Sequence, residues 1–200
     1  MKKSTLALLL LAGIAAQPAL AADWFVRGGA TLVDPKSDNG QLAGYDAHIG
    51  DDTQLGLTFG YHVSPNLAIE VLAATPFTHE VALDGLGEVA EFKHLPPTIS
   101  LQYYFNAEGT VSPFVSAGLN YTWTFDEETK GALAGNDISV GNSFGLAGAV
   151  GLRFALANDW DIVADARYID IGAGVELNGV DIGDAEVDPM VYSIMFGKRF

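Results

Sequence analysis

Eight stretches of this chain alternate, residue by residue, between large apolar side chains and small or polar ones. They cover residues 24–33, 53–63, 67–79, 92–105, 112–125, 141–156, 160–172 and 187–200. Each runs for roughly ten residues or more, the length a tilted β-strand needs to cross a membrane. A period of two puts successive side chains on opposite faces of a strand, and no 3.6-residue pattern competes over these windows. In 53–63, Leu55, Leu57, Phe59 and Tyr61 share one face against Gln54, Gly56, Thr58, Gly60 and His62. In 112–125, Val115, Ala117, Leu119, Tyr121, Trp123 and Phe125 oppose Ser116, Gly118, Asn120, Thr122 and Thr124. Eight such strands suit a closed antiparallel barrel.

A soluble lipocalin shares this pattern with the apolar face turned inward. The aromatic residues separate the two architectures. Trp24, Phe25, Tyr61, Phe105, Trp123, Phe125, Phe154, Trp160 and Tyr168 gather at strand ends, as interfacial girdles do. The links between strands also alternate: 64–66, 106–111 and 157–159 are short, whereas 34–52, 80–91, 126–140 and 173–186 are long and hold most of the acidic residues. The expected fold is therefore all-β: an eight-stranded antiparallel transmembrane β-barrel with short periplasmic turns and long, anionic extracellular loops, in the outer membrane of a Gram-negative bacterium.

The start of the chain agrees. "MKKSTLALLLLAGIAAQPALA" has two lysines, an apolar run over 6–16 and a closing Ala-Leu-Ala. This is a signal peptide over 1–21, too short in its apolar part for the ~20 residues of a spanning helix, and it leaves a barrel domain over 22–200. No later segment reaches the roughly 18 consecutive apolar residues of such a helix. There is no cysteine, so no disulfide framework holds the fold. Once Lys2 and Lys3 leave with the leader, eight Lys and Arg face 25 Asp and Glu, which argues against nucleic acid as a partner.

Strand parity turns six charged residues inward: Arg27, Glu70, Arg153, Asp161, Asp165 and Arg199. Charge in a narrow lumen is costly unless paired, so these six are expected to form ion pairs that plug the periplasmic half. The plain alternative is that the pairs only stabilise the barrel. Higher up, Leu72, Ala74 and Val191 face inward, and an apolar lining suits a greasy solute. Pro96 and Pro97 interrupt the fourth strand with two residues that cannot donate a ladder hydrogen bond. They either open the wall sideways or mark a strand start or bulge. At the far end, Tyr192, Ile194, Phe196 and Phe200 share one face, with Lys198 able to snorkel. Phe200 reads as part of an assembly signal, which makes barrel-assembly machinery a partner.

Several stretches carry a family resemblance: "TQLGLTFGY" from Thr53, "IEVLAATPFTH" from Ile69, "HLPPT" from His94, "LQYYF" from Leu101, "PFVSAGLNYTWTFD" from Pro113, "SFGLAGAVGLRF" from Ser143, "ARYIDI" from Ala166 and "VDPMVYSIMFGKRF" from Val187. In these the chain resembles the OmpW family of eight-stranded outer-membrane barrels. The resemblance implies uptake of small hydrophobic molecules through a lumen closed toward the periplasm, with lateral release into the membrane. Pro96 and Pro97 match the family's prolines at that opening, and Leu72 matches an apolar residue that narrows the channel. The chain departs at Arg167, where the family has a tryptophan opposite that constriction; an arginine there pairs with Asp165 or Glu70, or admits more polar solutes.

Two other classes compete. An enzyme needs a nucleophile beside an oriented base, and His48, His62, His79 and His94 show no such partner motif, so no catalytic residue is expected. A structural or adhesive barrel would use its anionic loops on divalent cations or lipopolysaccharide. The acids lack an EF-hand or other ligand spacing, so neither a metal site nor a cofactor is expected. The expected partners are small hydrophobic solutes and the lipid and lipopolysaccharide of the outer membrane.

Overall fold

A computed structural model of the protein describes residues 23–200; the leader expected over 1–21 lies outside the described residues. The fifteen strands are β1 (Trp24–Asp34), β2 (Gln41–Leu42), β3 (Tyr45–Ile49), β4 (Asp52–Ser64), β5 (Leu67–Ala74), β6 (Phe77–Leu83), β7 (Gly87–Leu95), β8 (Thr98–Tyr104), β9 (Val111–Thr129), β10 (Ile138–Val140), β11 (Ser143–Ala155), β12 (Trp160–Ile169), β13 (Gly172–Leu177), β14 (Val180–Glu186) and β15 (Met190–Arg199). Eight of them close the barrel in the order β1, β4, β5, β8, β9, β11, β12, β15, all antiparallel, with β15 pairing back onto β1 from Phe25↔Arg199 to Asp34↔Met190. Closure leaves no free sheet edge in lipid.

Burial follows the period of two. Along β4 the even-numbered residues from Gly56 to His62 are buried and the odd ones exposed. The outer belt stays apolar although it is exposed: Phe144 is 69% accessible, Leu146 65%, Ile194 66%. A water-soluble protein does not leave a continuous apolar belt of this kind uncovered, whereas a bilayer requires one.

Two expectations are corrected. The third and fourth strands are not continuous: each is broken by proline, into β5 and β6 around Pro76 and into β7 and β8 around Pro96 and Pro97. The long links are not loose loops. β2, β3, β6 and β7 join β9 as one continuing sheet, and β10, β13 and β14 form a second. The reason is that alternation persists through them: Leu42, Ala47, Ile49, Val81, Leu83, Val175, Ala185 and Val187 all turn inward and pack into one apolar cluster with Val33, Phe77, Ile169 and Val191. The outer face of this extension is polar, with Thr78, Glu80, Glu91 and Lys93, so it stands clear of the membrane. Lys130 pairs with Glu88 and Glu91, and Lys36 with Glu186 and Asp188, so part of the acidic charge is internally compensated.

Candidate functional site

The barrel wall is laddered except around Pro76, on both sides of the third strand: beyond the Thr75–Leu55 bond, β4 over 52–54 pairs with β1 but not with β6, which pairs with β3 instead. β5 pairs with β8 from Leu67↔Tyr103 up to Leu72↔Thr98, and β6 pairs with β7 from Phe77↔His94 upward. Between these registers, 73–76 and 95–97 share no backbone hydrogen bond among the described residues. Pro76, Pro96 and Pro97 lie in this stretch, and none has an amide hydrogen to give. Pro96 and Pro97 stand out in the sequence, and Pro76 is visible in "LAATPF", but its place opposite them depends on the register.

Both lips of the gap are tied to their outer neighbours. Thr75 N–H donates to the Leu55 carbonyl at 2.9 Å, and Leu55 N–H donates to Thr75 Oγ1 at 3.2 Å. On the other lip, Tyr121 N–H donates to the Pro97 carbonyl at 3.1 Å. The buried Asn120 amide donates to the Pro96 carbonyl at 3.0 Å, the Pro97 carbonyl at 3.2 Å and Thr98 Oγ1 at 3.0 Å. The two lips thus stay attached to β4 at Thr75 and to β9 at Pro97 and Thr98, on either side of the seam between the third and fourth strands.

Behind the seam lies a cavity of about 10 Å³ lined by Leu72, Ala73, Ala74, Phe77 and Pro96 with Thr31, Val33, Ile169 and Val191. It is near the lower limit for one water, so the passage is shut in this conformation. Leu72 and Pro96 are buried and Pro97 is exposed. Above the cavity the lumen is apolar through the large cluster.

Below it lies a layer of charge. Arg27 donates through Nε and Nη2 to both carboxylate oxygens of Asp161, at 2.9 and 2.8 Å, and its Nη1 is 3.5 Å from Glu70. Arg167 donates to Glu70 Oε1 at 3.1 Å and Ser100 Oγ at 3.0 Å, and sits 3.9 Å from Asp165. All five side chains are at most 7% exposed. Two-point contact fixes the Arg27–Asp161 geometry, which a single contact would not. Beneath this layer Phe25, Tyr104, Phe114 and Val163 form a second apolar cluster. Gly60 and Gly151 make room for it, since a Cβ at either would run into the ring of Phe25 or Phe114 respectively.

Three expectations change here. Arg199 does not join the plug: it lies at the end of β15, where its side chain leaves the barrel, 45% exposed and 3.6 Å from Asp159. Arg153 is buried but reaches no carboxylate; it donates to the Ala107 carbonyl and to Ser112 Oγ, fastening the turn between β8 and β9. Arg167 does not line the cavity with Leu72, because Glu70 and Ser100 draw it down into the charged layer. The histidines are not all isolated, as their spacing suggests: His79 and His94 meet through their Nε2 atoms at 2.9 Å, both buried. Phe200, two-thirds exposed, is held by its backbone N–H to the Trp24 carbonyl. Three acids, Glu80, Glu88 and Glu91, come together outside, where Lys130 already pairs with two of them.

The chain is similar in sequence and fold to known proteins. The sequence model of the OmpW family matches residues 21–200. Outer membrane protein W of Vibrio cholerae is 37% identical over 220 aligned residues, covering 100% of both chains. The crystal structure of OprG from Pseudomonas aeruginosa superposes with a TM-score of 0.79 at 36% identity, covering 90% of this chain and 96% of that one. A Pseudomonas aeruginosa protein described as dibenzothiophene metabolism operon protein PahQ is 27% identical over 171 residues, 81% of this chain and 79% of its own. With a full-length match to the family and a closed eight-stranded wall, the chain belongs to the OmpW family, a non-enzymatic β-barrel protein of the Gram-negative outer membrane.

Proposed function

We propose that the protein takes up small hydrophobic molecules, which enter the apolar upper lumen from outside, stop at the charged layer and leave sideways through the seam between β5–β6 and β7–β8 into the membrane. The observation that carries this reading is the unladdered stretch with three prolines, next to an apolar cavity and above a closed floor. Unpaired backbone in a membrane wall is tolerated only where it lines a cavity or opening, so a break with no use would be selected against on stability alone. The charged layer supports the direction of exit: an apolar solute gains nothing by displacing Arg27 from Asp161. Dibenzothiophene, which names the operon of one relative, is an apolar aromatic molecule and fits this class of solute. Phe200 on the last strand serves as part of the signal to the assembly machinery in the same reading.

The test is uptake by cells with and without the protein, over a solute panel running from small amino acids to aromatic hydrocarbons and alkanes, with ionic conductance in planar bilayers alongside. Apolar solutes should enter faster with the protein present and conductance should stay small. Equal gains for polar and apolar solutes, or a large steady conductance, would refute the route.

A further inference from the structure

His79 and His94 stand on the inner wall directly above the seam. His79 follows Phe77 by two residues and His94 precedes Pro96 by two, so both rings share the face that lines the cavity. They are 0% and 1% exposed. His79 Nδ1 contacts the carbonyl of Gly50, in the turn between β3 and β4. A carbonyl oxygen only accepts, so His79 carries its hydrogen on Nδ1, its Nε2 is an acceptor, and the 2.9 Å contact is a bond donated by His94 Nε2–H. The arrangement is therefore built from two neutral rings.

Their surroundings offer a cation no counter-charge and no water. Phe77 lies 5.6 Å from the His94 ring, and Phe92 lies 5.7 Å from His79 and 6.0 Å from His94, centroid to centroid. The turn contributes Asp51 and Asp52, but the Asp52 carboxylate accepts from Thr78 N–H at 2.8 Å and Gln54 Nε2 at 2.9 Å. Glu80, Glu91 and Lys93 alternate to the outer face of β6 and β7, with Lys93 toward Asp126 of β9, and β9 sets neutral Thr124 opposite His94. No carboxylate bonds to either ring among the described residues. Burial accordingly lowers the proton affinity of both histidines below the ordinary value of 6.5.

We propose that the His79–His94 pair is an acid-released latch on the side opening: while neutral it ties β6, β7 and the β3–β4 turn together above the seam, and when protonated it lets them part. The proposal rests on the seam being the exit. A first proton, on His94 Nδ1, leaves the ring-to-ring bond intact but places a cation out of water with no carboxylate partner. A second, on His79 Nε2, sets donor against donor and breaks the bond. Water reaching the rings relieves both, and that requires the β3–β4 turn to lift from His79 and the β6–β7 ladder to open at its seam end, from Phe77↔His94. The sign follows from linkage. The open, hydrated state binds more protons than the closed one, so the latch holds at full strength above about pH 6.5 and weakens as pH falls. At pH 5 a histidine that is neutral in the closed state and takes up its proton at the ordinary value in the open one shifts the balance toward opening by at most about 30-fold.

The experiment compares the full-length protein in lipid nanodiscs with its H79Q/H94Q variant, in which the glutamines keep hydrogen-bonding groups but take up no proton. Amide exchange over 77–95, corrected for the intrinsic effect of pH, is measured at pH 7.5 and 5, with uptake of an apolar fluorophore by cells at the same two values. Wild type should show at least tenfold faster corrected exchange and faster uptake at pH 5, and the variant should show neither change. An equal pH response in both proteins, or none in wild type, overturns the latch. Faster exchange without faster uptake instead overturns the side exit. Should the variant fail to fold, imidazole nitrogen shifts of wild type decide: the complementary Nδ1–H and Nε2–H tautomers must be present at pH 7.5 and be lost as exchange accelerates, and their absence overturns the proposal.

Discussion

The three prolines at the seam are not equivalent, and their backbone directions give a sharp test. In an antiparallel ladder the N–H and C=O of one residue point to the same neighbour and those of the next residue to the other. The Pro97 carbonyl accepts from Tyr121, so an amide restored at 97 would point to β9. One residue earlier, an amide at 96 would point across the seam to the third strand. On the other lip the inward parity changes from even residues in β5 to odd ones in β6, so alternation does not fix the direction of an amide at 76, and Pro76 is left in place. Pro96→Ala supplies one cross-seam donor, worth on the order of 1 kcal/mol net in favour of the closed wall. That is about fivefold in the balance between closed and open. Loss of proline stiffness lowers folding stability by ~0.4–1 kcal/mol per site, but through the unfolded chain, and so leaves the open–closed balance alone. Uptake of an apolar solute by cells, with heat-modifiable gel migration to confirm folded barrels, should fall by about this factor in P96A, while P97A transports near the wild-type rate. If P97A is as impaired as P96A, or if P96A folds and transports normally, solutes do not leave through this seam.

Three further outcomes follow from the lumen. Arg27→Ala leaves the buried Asp161 without its two-point partner and should lower barrel stability by ~3–5 kcal/mol in urea titrations followed by gel mobility. Arg199→Ala removes only a half-exposed 3.6 Å pair with Asp159 and should change the same titration by less than about 1 kcal/mol. Gly60→Ala drives a methyl group into the Phe25 ring in the lower cluster and should destabilise by ~1–3 kcal/mol without altering solute preference, as read by urea titration and the uptake panel.

The barrel was legible because its cause is local. A strand in a bilayer must alternate, and alternation in β4, β11, β15 and β9 as far as Thr124 survives from sequence to structure. The lower charges were legible for the same reason, since parity alone turns Arg27, Glu70, Asp161 and Asp165 inward. Parity does not say where the wall ends, however, and so it put Arg199 inside a barrel that its side chain has already left. Nor does it say which charge finds which. Glu70 lies 97 residues from Arg167, and only the barrel shear brings them to 3.1 Å. The extracellular strands were missed because their inward residues are sparse between acids, and the histidine pair because nothing in the spacing of His79 and His94 distinguishes two rings that meet from two that do not.

The position of the seam has a physical logic of its own. A barrel that admitted a solute through its floor would have to unpair Arg27 from Asp161 and Arg167 from Glu70, leaving up to four buried charges unsatisfied at once. Parting the wall at the prolines breaks no backbone bond, because none is made there, and each lip keeps its bonds to the strand behind it through Leu55 on one side and Asn120 and Tyr121 on the other. The inner groups uncovered by such an opening are the methyl groups and rings of Leu72, Ala74, Phe77 and Pro96, which lipid tolerates. The three prolines thus weaken the wall at the height where the apolar lumen meets the charged floor.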